Sequence, residues 1–166
     1  RADEFGITGT ETPAELEANA ALRDAVERVR VIAGERMGLG DVVAQTVPKM
    51  FLLSPPAGDG AVSTRAFIPS RVHTSIGVLM AASVAAGIRI PGSVGAELAS
   101  LPLSGAVVLE HPSGAYSADV RVAQDDDGTW RGTSVSVRTA RKIFDGTVFP
   151  RPRLHNPSER TSHGTQ

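Results

Sequence analysis

The hydrophobic pattern of the chain has a helical period near its start. From Leu22 to Ile32 the apolar residues recur at spacings of three and four, and charged residues fill the positions between them. Thr12, followed by a proline and by Glu15, is typical of a helix start, because threonine caps, proline suits the first position and the glutamate completes a capping box. The pattern predicts an amphipathic helix that ends near Gly34, with its charges on a solvated face.

Short apolar runs bounded by proline or glycine predict strands further along the chain. These runs cover residues 47–54, 61–68 and 105–110. Residues 116–124 and 129–137 then alternate between apolar and polar on either side of Asp125-Asp126-Asp127-Gly128, the pattern of a β-hairpin with an Asp-Gly turn. After Arg151 the chain has little to bury, and a loose tail is predicted.

Residues 76–86 are small or apolar on every face, which predicts a buried central helix. Thr74 or Ser75 is the expected cap, and the free N–H groups of the first turn favour a carboxylate or phosphate. Arg71 and His73 precede the cap and add a fixed charge and a titratable group. A structural role fits these residue types equally well, because a buried helix needs a cap whether or not a ligand binds.

Two further polar clusters are candidates for ligand contacts. His111-Pro112-Ser113-Gly114 follows a predicted buried strand and supplies an imidazole, a hydroxyl and a glycine that a ligand can approach closely. Thr139, between Arg138 and Arg141, lies where the last predicted strand passes into a short helix. An ordinary turn and a pair of surface arginines are the competing interpretations.

Composition excludes several classes of function. With 166 residues and 41% hydrophobic content the chain can form a domain with a core, and its net charge of −1 gives no case for nucleic acid or an acidic membrane surface. The longest apolar run is too short to span a bilayer. The chain has no cysteine, and its four histidines lack a paired metal spacing, so neither a thiolate nucleophile nor a metal site is expected. A cytoplasmic protein is expected.

The order of several motifs resembles the PrpF family, which includes methylaconitate cis-trans isomerases and oxalomesaconate tautomerases with the diaminopimelate epimerase fold. The resemblance runs from about Thr8 to Pro150 and corresponds to the C-terminal half of such a protein. Its motifs are Thr8-Gly9-Thr10-Glu11, Pro13-Ala14-Glu15-Leu16, Met37-Gly38-Leu39, Val47-Pro48-Lys49, Arg71-Val72-His73, Pro91-Gly92, His111-Pro112-Ser113-Gly114, Arg138-Thr139-Ala140-Arg141 and Gly146-Thr147-Val148.

The resemblance implies an α+β, diaminopimelate epimerase-like roll in which a strand-rich lobe wraps around a buried central helix. Family members have two such lobes with the active site between them. Residues 1–46 would then be a helical lead and linker from a missing first lobe, residues 47–150 the C-terminal lobe and residues 151–166 the tail. The expected partners are a small polycarboxylate substrate and the missing N-terminal lobe, with a homodimer as a further arrangement.

The implied activity is cofactor-independent isomerisation or tautomerisation of small unsaturated di- or tricarboxylic acids by allylic proton transfer. The catalytic residues are expected mainly in the other lobe, with His73 as the candidate here, and this chain alone is expected to be inactive. A non-enzymatic carboxylate-binding or assembly module is the alternative. The matching substrate-binding positions are Ser70, Arg71, His73, Thr74, Ser75, Gly77, His111, Pro112, Ser113, Gly114, Arg138, Thr139 and Arg141.

Overall fold

The computed structural model describes residues 1–103, 105–136 and 140–151. Residues 1–136 form one compact unit, and the described residues 140–151 belong to a second. After a short 3-10 helix at Asp3–Phe5, the helices and strands within the described residues are α1 (Pro13–Ala18), α2 (Ala20–Arg36), β1 (Met50–Ser54), β2 (Val62–Ile68), β3 (Arg71–Val72), α3 (Val78–Gly87), β4 (Val107–His111), β5 (Gly114–Gln124) and β6 (Trp130–Val135).

The strands form a six-stranded mixed sheet. Its order is β1-β2-β4-β5-β6, and the short β3 folds back onto β2. Strands β2 and β4 run parallel, with Val62 opposite Leu109, whereas the other pairs are antiparallel. The parallel pair requires a crossover, and the chain makes it through α3. The architecture confirms the predicted α+β class.

Alternate residues of the central strands face two separate hydrophobic clusters, because side chains along a strand point to opposite faces. Val62 and Leu109 face α3 and are fully buried against it. Leu52 and Phe67 face the other way and pack against the N-terminal segment and the first two helices. Strand β2 is therefore covered on both faces, and six of its seven residues are buried.

The N-terminal helical region differs from the prediction in two ways. It is divided at Asn19, whose side chain accepts a hydrogen bond from the N–H of Leu22 at 3.0 Å and caps α2. The buried stripe of α2 contains Arg30, which the sequence pattern placed on the solvated face, while Ile32 is 53% exposed. Arg30 is tolerated there because each of its three guanidinium nitrogens donates a hydrogen bond, to Glu27 or to a backbone carbonyl. The capping box at Thr12 is confirmed.

Helix α3 begins later than predicted and is buried on one face only. Its N-cap is Gly77, with no side-chain cap, so the expectation that Thr74 or Ser75 caps this helix is wrong. Ala81, Val84 and Ala85 are the buried residues, whereas Leu79 is 82% exposed. The prediction that this helix is buried on every face is therefore wrong, since the sheet of this unit covers only one side of α3. Within the described residues, every helix is too short or too polar to cross a membrane.

The Asp-Gly hairpin is confirmed. Asp125 and Thr129 close the turn through an N–H to carbonyl bond of 2.9 Å, and Gly128 adopts a φ of 84°, which suits glycine. The short helix expected near residues 138–142 is not found in its described part, because residues 140–142 have no regular secondary structure.

Candidate functional site

Two of the predicted polar clusters meet in the folded chain. The N–H of Ser113, in the turn between β4 and β5, donates to the carbonyl of Thr74 at 3.0 Å. The N–H of His73 donates to the carbonyl of Ala66 at 2.9 Å, which continues the pairing of β3 with β2. The segments around His73 and His111 are therefore held side by side, just before α3 begins.

His73 lines an open depression of about 290 Å³ together with Ile68, Arg71, Val72 and Thr74. Its side chain is half-buried, and its Nδ1 atom lies 3.1 Å from the backbone nitrogen of Ser75 and 3.3 Å from the Ser75 hydroxyl. Ser75, two residues further along the chain, therefore fixes the imidazole of His73 through its Nδ1 atom.

Arg71 has a partner that the sequence did not reveal. Its Nε atom lies 3.3 Å from Oε1 of Glu17 on α1, and the Arg71 side chain is 83% exposed. The same Glu17 oxygen accepts the N–H of Val72 at 2.8 Å. Glu17 therefore attaches α1 to the β2–β3 hairpin and orients the exposed guanidinium. In the sequence Glu17 is one acidic residue on a polar helix face, and nothing local distinguishes it.

The turn from His111 to Gly114 is tight, because these two residues are also partners in the β4–β5 register. Gly114 has a φ of 145°, within the region that favours glycine. The Ser113 hydroxyl lies 3.3 Å from Nδ1 of His111, and Pro112 completes the turn. This arrangement repeats the pairing at His73, with a serine two residues after the histidine, but here only a hydroxyl contacts the ring.

Glu110 is a second residue that sequence reasoning missed. Its carboxylate accepts backbone N–H groups from Ala57 at 2.7 Å, Gly58 at 2.8 Å and Gly60 at 3.0 Å. Burial acts to raise the pKa of Glu110, but these three donors and the charge of Arg65 outweigh it, so the pKa lies below its ordinary value. Glu110 thereby holds the loop before β2 against the strand that carries His111. Its partners are more than 49 residues away in sequence, so no local signal indicates them.

Arg65 is a buried cation on β2. Its Nε donates to the carbonyl of Glu11 at 2.9 Å, and one terminal nitrogen donates to the Thr64 carbonyl at 2.9 Å. Burial lowers the pKa of Arg65, while the carboxylates of Glu11 and Glu110 act to raise it. The hydroxyl of Thr64 in turn donates to the Glu110 carbonyl at 2.8 Å. The Thr64 bond thus joins β2 to β4, the strand that ends at His111, and the Arg65 bond joins β2 to the segment before α1.

The remaining predicted site residues are not all brought together. Ser70 is exposed at the tip of the β2–β3 hairpin, and Gly77 is the N-cap of α3. Arg138 and Thr139 lie outside the described residues. Arg141 is exposed within the second unit. In the described part of the chain, no group of three histidine, cysteine or acidic side chains is arranged to hold a metal ion.

The assembled groups are suited to binding an anion. An exposed guanidinium, two imidazoles and a serine hydroxyl can all donate hydrogen bonds to a carboxylate. Because Gly77 provides no side-chain acceptor, the first-turn N–H groups of α3 remain available to an acceptor oxygen. The polar side chains of this site are hydrogen-bond donors, apart from the carboxylate of Glu17, which neutralises part of the positive charge.

Comparison with solved structures defines the class of fold. The chain is similar to the crystal structure of methylitaconate-delta-isomerase, with a TM-score of 0.68 and 18% sequence identity over 82% of this chain and 41% of that chain. The fold is thus the α+β, diaminopimelate epimerase-like roll, as predicted. The family described as PrpF protein matches residues 1–151, and the chain belongs to the PrpF family.

Two relatives are named as an oxalomesaconate isomerase and an oxalomesaconate tautomerase. The chain is 47% identical over 151 residues to (4E)-oxalomesaconate Delta-isomerase of Novosphingobium sp. (strain KA1), covering 90% of this chain and 42% of that protein. It is 46% identical over 151 residues to 4-oxalomesaconate tautomerase of Pseudomonas putida (strain KT2440), covering 89% of this chain and 40% of that protein. The chain therefore spans about two-fifths of the length of these relatives.

Proposed function

We propose that this chain is the C-terminal lobe of a cofactor-independent isomerase or tautomerase that acts on small unsaturated di- or tricarboxylic acids. The observation that carries the proposal is the bond from the Ser113 N–H to the Thr74 carbonyl, which holds both histidine segments beside the start of α3. The names of the relatives support this class of substrate. Their greater length supports a second lobe that completes the site.

The proposed reaction is an allylic proton transfer. A C–H bond next to an electron-withdrawing group breaks, its electron pair shifts the double bond, and a proton returns to the far carbon, so that the product is an isomer. Negative charge spreads onto the carboxyl and carbonyl oxygens during the transfer. Donors from Arg71, His73 and the His111–Gly114 turn would hold those oxygens, while the proton acceptor comes mainly from the other lobe.

The organisation of the chain follows from this proposal. We propose that residues 47–150 make up the lobe and that residues 1–46, whose helices pack on its sheet, lead into it from the first lobe. The predicted tail, residues 151–166, lies outside the described residues except for residue 151. Arg138, Thr139 and Arg141 are proposed as further substrate contacts. The same chemistry uses soluble metabolites, so we place the whole protein in the cytoplasm.

The decisive assay uses the whole gene product. Oxalomesaconate or methylaconitate is incubated with it in D₂O, and proton NMR follows both isomer formation and deuterium entry at the allylic carbon. The proposal requires both, whereas the 166-residue chain alone should give neither. Binding of a polycarboxylate with no deuterium entry in the whole protein would instead support the carboxylate-binding module.

Arg71→Met tests the anion site within the whole protein. Loss of a charge-assisted bond worth roughly 1.5–3 kcal/mol should weaken polycarboxylate binding about 10- to 100-fold. The free energy of unfolding should fall by less than about 1 kcal/mol, because the Arg71 side of the ion pair with Glu17 is exposed. Glu17→Gln is the matched control, since it removes the ion pair and keeps the guanidinium. Normal affinity in Arg71→Met would argue against the site.

A further inference from the structure

His73 differs from the neighbouring His111 in the kind of donor that contacts its ring. The backbone nitrogen of Ser75 lies 3.1 Å from Nδ1 of His73, and its N–H group donates a hydrogen bond to that ring nitrogen. At His111 the contact is the Ser113 hydroxyl, at 3.3 Å from Nδ1. A hydroxyl can donate or accept, whereas a backbone N–H can only donate.

This difference fixes the tautomer of one histidine. A neutral imidazole carries one N–H and one bare nitrogen, and the partner of one nitrogen decides the role of the other. Because Ser75 donates to Nδ1 of His73, that nitrogen must be the bare one, and the proton resides on Nε2. The hydroxyl at His111 leaves both tautomers available to that ring.

We infer that neutral His73 is a hydrogen-bond donor through Nε2 and does not accept the substrate proton. The inference rests on the proposed function, and it assigns one role to a residue that the sequence left as the candidate catalytic group of this lobe. Its ligand is an acceptor oxygen, such as a substrate carboxylate, at the depression lined by Ile68, Arg71 and Thr74.

The alternative role requires an unfavourable contact. For Nε2 to accept a proton, its lone pair must be free, and the ring proton of the neutral form must then move to Nδ1. Two N–H groups would face each other across the 3.1 Å between His73 and Ser75, and the existing bond would be lost. Among the described residues, Nε2 of His73 has no hydrogen-bond partner, so its proton is available to a ligand.

The tautomer can be measured directly without any ligand. In ¹⁵N-histidine-labelled chain at alkaline pH, long-range ¹H–¹⁵N spectra distinguish a protonated from a bare ring nitrogen, and His73→Gln identifies the His73 signals. We expect a bare Nδ1 and a protonated Nε2 at His73. Ser75→Ala keeps the backbone donor and should preserve this pattern, whereas Ser75→Pro removes it and should mix the tautomers. A protonated Nδ1 in the unmutated chain would overturn the inference.

Binding then tests the donor role, with tricarballylate as an unreactive probe of the whole protein. Glutamine at position 73 can place an amide N–H group near the position of Nε2, whereas the shorter asparagine can accept from Ser75 with its amide oxygen but does not carry its NH2 group as far as the Nε2 position. We expect His73→Gln to bind within about 3-fold of the unmutated protein and His73→Asn about 10-fold more weakly. Equal losses in both variants would overturn the donor role. If tricarballylate does not bind the unmutated protein, the proposed function fails, while the tautomer measurement still decides the inference.

Discussion

Replacing Arg30 by methionine tests how much the hydrogen bonds of a buried guanidinium stabilise the packing of α2 against the loop before β1. Arg30 is fully buried on α2. Its guanidinium donates to both carboxylate oxygens of Glu27 at 2.7 Å, to the Val42 carbonyl at 2.9 Å and to the Val47 carbonyl at 2.5 Å. These bonds join the helix to the loop that leads into β1. Methionine keeps most of the apolar stem but satisfies none of these acceptors.

The expected loss follows from the partners that are left behind. Breaking a buried ion pair costs about 3–5 kcal/mol, and each unsatisfied buried carbonyl costs about 1–3 kcal/mol. Glu27 is 42% exposed and recovers water when Arg30 is removed, so the loss comes mainly from the two carbonyls, about 3 kcal/mol together. We therefore expect Arg30→Met to lower the free energy of unfolding by about 3 kcal/mol. In a domain of this size that corresponds to a Tm lower by roughly 6–12 °C.

Urea unfolding followed by far-ultraviolet circular dichroism measures this loss, and Trp130 fluorescence reports whether the sheet unfolds in the same transition. Arg28→Met on the same helix is the matched control, because Arg28 is exposed and should change the stability by less than about 0.5 kcal/mol. If Arg30→Met lowers the free energy of unfolding no more than Arg28→Met does, the buried hydrogen bonds only balance the hydration that they replace, and Arg30 does not stabilise the fold.

Two other substitutions test the remaining structural claims. The pKa of Glu110 is lower in the folded chain than in the unfolded chain, so its contribution to stability is present above the unfolded pKa and is lost as the pH falls through the folded one. Urea titrations across that acidic range should therefore show a weaker pH dependence in Glu110→Gln, and an unchanged slope would contradict the role of this carboxylate. A Cβ at Gly34 would lie 2.5 Å from a methyl carbon of Val42, so Gly34→Ala should cost about 1–3 kcal/mol in thermal unfolding. Gly87→Ala, with open space around it, should cost nothing, and equal stability of the two variants would exclude the close contact.

The sequence by itself determined the features that depend on local chemistry. The capping box at Thr12 and the Asp-Gly hairpin follow from spacing and turn residues, and both are confirmed. The α+β class follows from the family resemblance and is also confirmed. The resemblance to the PrpF family rests on the order of short motifs, such as the one at His111–Gly114, and the family match over residues 1–151 confirms it.

Tertiary structure alone decided which distant groups meet. Periodicity placed Arg30 in solvent, because a helical pattern ranks residues by polarity and does not reveal the carbonyls of a later loop that satisfy a guanidinium. Glu17 and Glu110 were likewise missed, since their partners lie about 50 residues away. The pairing of Ser113 with Thr74 depends on the parallel strands that the α3 crossover brings together, and no local signal encodes a contact that only the sheet creates.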